Sequence, residues 1–137
     1  MDLMIRVCAV VGPTASGKSA LAIELARSLD GEIVSCDSMQ LYRGMDIGTA
    51  KPTKAEQEEI VHHMIDILSP MEKCSAADYA AAAFPLLKEI AARGKLPIFC
   101  GGTGLYLESV LYDRYPVEIP AFPACREALY NLARERG

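Results

Sequence analysis

Three short stretches of this chain carry residue types that can do chemistry. The first is Gly12-Pro13-Thr14-Ala15-Ser16-Gly17-Lys18-Ser19. Glycine, four residues, then Gly-Lys-Ser is the Walker A spacing, in which backbone N–H groups of a tight turn are aimed at a phosphate. The helix that follows adds the positive end of its dipole. Lys18 supplies a point charge for the terminal phosphate, and the Ser19 hydroxyl is an oxygen ligand of the kind Mg²⁺ takes. The second is Asp37-Ser38, directly after an apolar run. A carboxylate there can ligate Mg²⁺, accept a proton, or cap the turn that follows. The third is Gly101-Gly102-Thr103-Gly104, which repeats the strand, glycine turn, helix pattern. On composition alone this third stretch reads as a tight connection needing positive φ.

Positioning these stretches requires strands that end together. Met4–Val11, Glu32–Cys36 and Leu96–Cys100 are apolar and β-branched enough for buried strands. Between the first two, Leu21, Ala22, Leu25 and Leu29 recur at helical spacing from Gly17 to Leu29, and Asp30-Gly31 stops that helix. Strand, loop, helix, strand is a βαβ unit and predicts an α/β fold, a parallel sheet flanked by helices of the phosphate-loop type. Ligands of such sheets bind beyond the carboxyl ends of the strands, which is where Asp37 and both glycine turns fall.

The remaining chain is read as follows. Met39–Pro52 is a long irregular loop in which Arg43 and Lys51 are candidate phosphate contacts or solvated charges. Thr53-x-x-Glu56 opens a short helix, Lys54 to Val61. His62-His63 suggests a metal, but adjacent side chains converge poorly on one ion and no third ligand has suitable spacing. Met64–Leu68 is a brief strand interrupted by Asp66. Ser75-x-x-Asp78 caps an alanine-rich helix, Tyr79–Ala92, that Pro85 threatens to kink. Leu105–Leu111 is helical. Pro116, Pro120 and Pro123 mark a loop, and Ala124–Arg136 is a charged amphipathic helix.

The 137 residues suit one domain, residues 1–137, with 51% apolar and 23% charged residues. No apolar run approaches membrane-spanning length, so no membrane partner is expected and a cytoplasmic location is. Five scattered cysteines without a C-x-x-C pair read as reduced thiols. A net charge of −4 gives no global sign of nucleic-acid binding.

Four runs occur in order: GPTASGKS from Gly12, DSMQLY from Asp37, MDIGTAKP from Met45 and GGTGLY from Gly101. Together they resemble the tRNA dimethylallyltransferases, also called tRNA isopentenyltransferases, from about Ile5 to about Leu129. The resemblance implies a prenyltransferase acting in tRNA modification. It moves a dimethylallyl group from dimethylallyl diphosphate to N6 of the adenosine 3′ of certain anticodons and releases diphosphate. Gly12 to Ser19 would hold the diphosphate rather than the tail of ATP, Lys18 would stabilise the leaving charge, and Ser19 would help place Mg²⁺. Asp37 would be the general base. Asp37, Ser38, Met39 and Gln40 would contact the target nucleotide of the tRNA anticodon stem-loop, as would Thr103 and Arg126. A monomer is expected. Family members continue well past the point where this chain stops, with more of the core and of the basic tRNA surface. Adenylate isopentenyltransferase, small-molecule phosphate-loop kinase and non-catalytic diphosphate-binding fragment stand as alternatives.

Overall fold

The computed structural model describes residues 4–13, 17–46, 48, 50–112 and 123–136. Four strands, β1 (Cys8–Val11), β2 (Gly31–Ser35), β3 (His62–His63) and β4 (Leu96–Gly101), form one all-parallel sheet in the order β1-β4-β2-β3. Among the described residues, α1 (Lys18–Leu29), α2 (Lys54–Glu59) and α3 (Ala76–Ala92) connect the strands, and α4 (Gly104–Leu111) and α5 (Pro123–Arg136) follow β4.

Strand alternation splits the core into two layers. Ile33, Ile98 and Val10 bury against Ala22, Ile23 and Ala26 of α1 on one face. Val34, Cys36 and Phe99 bury against Tyr79, Ala83, Leu87 and Ile90 of α3 and Tyr106 and Val110 of α4 on the other. Tyr79 and Tyr106 stack with ring centroids 4.5 Å apart. Their hydroxyls donate to Ser35 O at 2.7 Å and Cys74 O at 2.9 Å, so both rings bury without an orphaned polar atom.

Local chemistry sets the boundaries. Ser75 and Asp78 form a reciprocal capping box at the start of α3. Thr53 accepts from Glu56 N–H at 3.2 Å and starts α2, which ends at Glu59 rather than Val61. α3 runs unbroken through Pro85, whose ring and the Ala81 carbonyl it cannot bond are both on the exposed face. α5 starts at Pro123, a residue pre-set for a first helical turn, and not after it. The expected loop at Pro116 and Pro120 lies outside the described residues.

Two expectations need correcting. The first strand is ordered as strand only from Cys8, not from Met4. The strand beside β2 is His62–His63 rather than Met64–Leu68. Met64 and Asp66 take φ of 63° and 54°, which no strand accommodates, and Leu68 keeps a lone bridge to Tyr42.

Candidate functional site

The parallel register brings the three chemical stretches to one end of the sheet. Val11 pairs with Gly101 and Ser35 with Cys100, so the phosphate loop, Asp37 and the second glycine turn all leave their strands at the same level. Gly17, with φ 82°, turns the chain into α1, and Lys18 and Ser19 open that helix. Lys18 Nζ donates across the loop to Pro13 O at 3.1 Å. Thr14, Ala15 and Ser16 lie outside the described residues.

The second turn is glycine-rich for a different reason from the one its composition suggests. Gly101, Gly102 and Gly104 do not have positive φ. A Cβ on Gly101 would instead sit 2.6 Å from the Cys36 backbone, and one on Gly102 would sit 3.3 Å from Gly12 O. The glycines let β4 press against the ends of β2 and β1. Cys36 N–H donates to Cys100 O at 2.9 Å and Thr103 N–H to Cys36 O at 3.0 Å. Thr103 Oγ1 does not cap α4; it accepts Ser38 N–H at 3.0 Å. Thr103 and the Asp37-Ser38 turn are therefore one unit.

Asp37 is half-buried, and its Oδ1 accepts Met39 N–H at 2.9 Å. The carboxylate thus caps its own turn through Oδ1. Lys18, Ser19 and Asp37 line a single cavity, and Ile23, Ile33, Ile65, Ala50 and Pro52 give it apolar walls. His62 lies along the same cavity. Its Nδ1–H donates to Ile60 O at 2.7 Å, and burial holds its pKa below the usual imidazole value. His63 faces the other way and meets Glu32 Oε1 at 2.9 Å, as alternation along a strand requires.

The loop after Asp37 departs most from its sequence reading. Gln40 is buried; its Oε1 accepts Ser35 Oγ–H at 2.8 Å and its Nε2 donates to Ala50 O at 3.2 Å. Both ends of its amide hold the protein together, although it also lines the cavity. Met39 is exposed. Neither Arg43 nor Lys51 is placed as a phosphate contact. Arg43 donates to the carbonyls of Asp66 and Ile67 at 3.0 and 3.2 Å, and Lys51 is enclosed by Tyr42 O, Asp46 and Asp66. Arg126 falls on α5, and its side chain lies outside the described residues.

Cys100 stands on β4, the strand beside the phosphate-loop strand, and lines the cavity. Burial, the leading cause, raises its thiol pKa, and Cys36 behind it is pushed up to about 12 by the same cause.

Known proteins share this arrangement. The sequence model described as IPP transferase matches residues 40–137. This chain belongs to the IPP transferase family. A tRNA dimethylallyltransferase of Bacillus subtilis is 53% identical over 131 residues, which is 96% of this chain and 42% of the relative. The full-length tRNA isopentenylpyrophosphate transferase of Bacillus halodurans superposes with a TM-score of 0.81 at 45% identity, over 96% of this chain and 44% of that one. A eukaryotic dimethylallyltransferase acting on tRNA superposes with a TM-score of 0.75 at 35% identity, over 79% of this chain and 27% of that one. The chain thus spans less than half the length of these IPP transferase relatives, and its parallel sheet and flanking helices are theirs.

Proposed function

We propose that this chain carries the donor site and the proton-accepting carboxylate of a tRNA dimethylallyltransferase. The observation that carries the reading is the single cavity joining Lys18, Ser19 and Asp37 to an apolar wall of isoleucines and Pro52. A nucleoside triphosphate has no use for an apolar wall behind its phosphates, whereas a five-carbon allylic diphosphate has one charged end and one hydrocarbon end.

Gly12, Pro13, Thr14, Ala15, Ser16, Gly17, Lys18 and Ser19 hold the donor's diphosphate. In the reaction, the acceptor's exocyclic nitrogen bonds to the allylic carbon while the carbon–oxygen bond to diphosphate breaks. Asp37 takes one N–H proton, through the oxygen not tied to Met39 N–H. An adenine amine is a weak nucleophile because its lone pair is delocalised, and removing that proton as the bond forms restores it. Lys18 and the loop amides stabilise charge growing on the departing diphosphate. The Ser19 hydroxyl is a hard oxygen donor on this cavity and fits Mg²⁺, which would neutralise diphosphate charge when bound. Asp37, Ser38, Met39 and Thr103 form the face offered to an adenosine turned out of its stack, with Gln40 holding that face in place and Arg126 a further contact.

Transfer of labelled dimethylallyl to a tRNA anticodon stem-loop, to AMP and to ATP tests the acceptor. The reading expects label in the stem-loop and none in the free nucleotides. Label in AMP alone would contradict it, as would ATP turnover without any need for the donor.

A further inference from the structure

The Lys51 side chain is 6% exposed, yet it is charged and saturated. Its three donors meet Tyr42 O at 2.6 Å, Asp46 Oδ1 at 2.7 Å and Asp66 Oδ1 at 2.5 Å. Burial alone would lower its pKa, but the bonds to the two carboxylates outweigh this and hold it above the usual lysine value. The acceptors come from the start of the 42–51 excursion, from its middle and from the segment after β3, so one ammonium ties three pieces of chain together. Lys51 does not itself line the donor cavity; its neighbours Ala50 and Pro52 do. Ala50 is held at φ 52° with its carbonyl taken by Gln40 Nε2 at 3.2 Å, a conformation that persists only when its surroundings impose it.

We propose that Lys51 is a positioning residue for the hydrocarbon end of the donor: the Tyr42–Asp46–Asp66 clamp on its ammonium fixes the wall formed by Ala50 and Pro52. The inference rests on the donor reading above. The diphosphate end is held by the phosphate loop and α1, which the clamp does not touch, so the two ends of the donor respond differently when it is removed.

Equilibrium binding of dimethylallyl diphosphate and of inorganic diphosphate to the parent chain, Lys51→Met, Lys51→Arg and Asp66→Asn tests this, with thermal unfolding of each variant alongside. Lys51→Met weakens dimethylallyl diphosphate by about tenfold and changes inorganic diphosphate by less than about twofold. Lys51→Arg restores part of the difference, and the milder Asp66→Asn shifts it the same way by less. Equal losses for both ligands, or no loss for either, would overturn the proposal while leaving the donor reading intact. A parent that holds inorganic diphosphate but gains nothing from the dimethylallyl group would overturn both.

Discussion

Asp37 fixes the turn at the end of β2 by accepting Met39 N–H at Oδ1. The proposed proton transfer uses its other oxygen, Oδ2. The sequence posed capping and catalysis as rivals; the geometry makes them compatible, because a base must be held still to be useful. Gln40 shows the reverse. The family resemblance implies an RNA contact there, and within the fold its amide bonds Ser35 and Ala50. Gln40→Ala removes one buried and one part-buried hydrogen bond, so a loss of about 1–3 kcal/mol is expected in denaturant unfolding. A change below about 0.5 kcal/mol would mean that the amide is not holding the loop.

Elements place these side chains by backbone approach. Gly101 lies where a Cβ would meet Cys36 at 2.6 Å, and Thr103 reaches Ser38 only because β4 comes that close. Gly101→Ala is expected to cost about 1–3 kcal/mol by overpacking and to lower transfer along with stability, since the Thr103–Ser38 bond must shift. Thermal unfolding beside single-turnover transfer checks this. At the other end of the sheet, Glu32 is buried under Arg93, with bonds of 2.8–3.1 Å, and His63 at 2.9 Å. Burial alone would raise its pKa; Arg93 and His63 overcome that and hold it below the ordinary 4.5. A carboxylate depressed in the folded state contributes stability above its unfolded value and loses it as pH falls through the folded one. Unfolding followed from pH 6 down to pH 3 should therefore steepen in the parent below about pH 4.5 and flatten in Glu32→Gln.

The sheet, α1 and α3 were legible because their periodicities and caps are written locally. The phosphate loop, Asp37 and Thr103 were legible as neighbours at one end of the sheet because parallel strands deliver their ends to one side. The strand at His62–His63 was not, since two residues carry no period and their pairing with Ile33 and Val34 is decided by the sheet. Nor was the reason for Gly101, because close approach to Cys36 is a fact of packing between segments 65 residues apart. The Lys51 clamp was half visible: Asp46 and Lys51 share one motif, but Asp66 joins them only through the fold.

At the scale of the whole molecule, charge and length bear on the acceptor more than on the donor. No helix among the described residues is long and apolar enough to cross a membrane. The net charge of −4 supplies no general attraction for RNA, and on the proposed reading a stem-loop is held by the residues around Asp37 and Thr103. Filter binding of the stem-loop between 50 and 200 mM salt should then give a log–log slope no steeper than about −2, the release of about two to three counterions from single-stranded phosphates. A slope several times steeper would reveal a basic surface that the composition conceals.

The central claim is that Asp37 takes the proton while the phosphate loop holds the donor, two tasks done by separate parts of one cavity. Single-turnover transfer to the anticodon stem-loop by the parent and by Asp37→Asn, with donor affinity measured in parallel, separates them most directly. The account predicts transfer slowed by about 10²–10⁴ in the variant with donor affinity unchanged within about twofold. Transfer at the parental rate, or a donor affinity that falls with the rate, would contradict it.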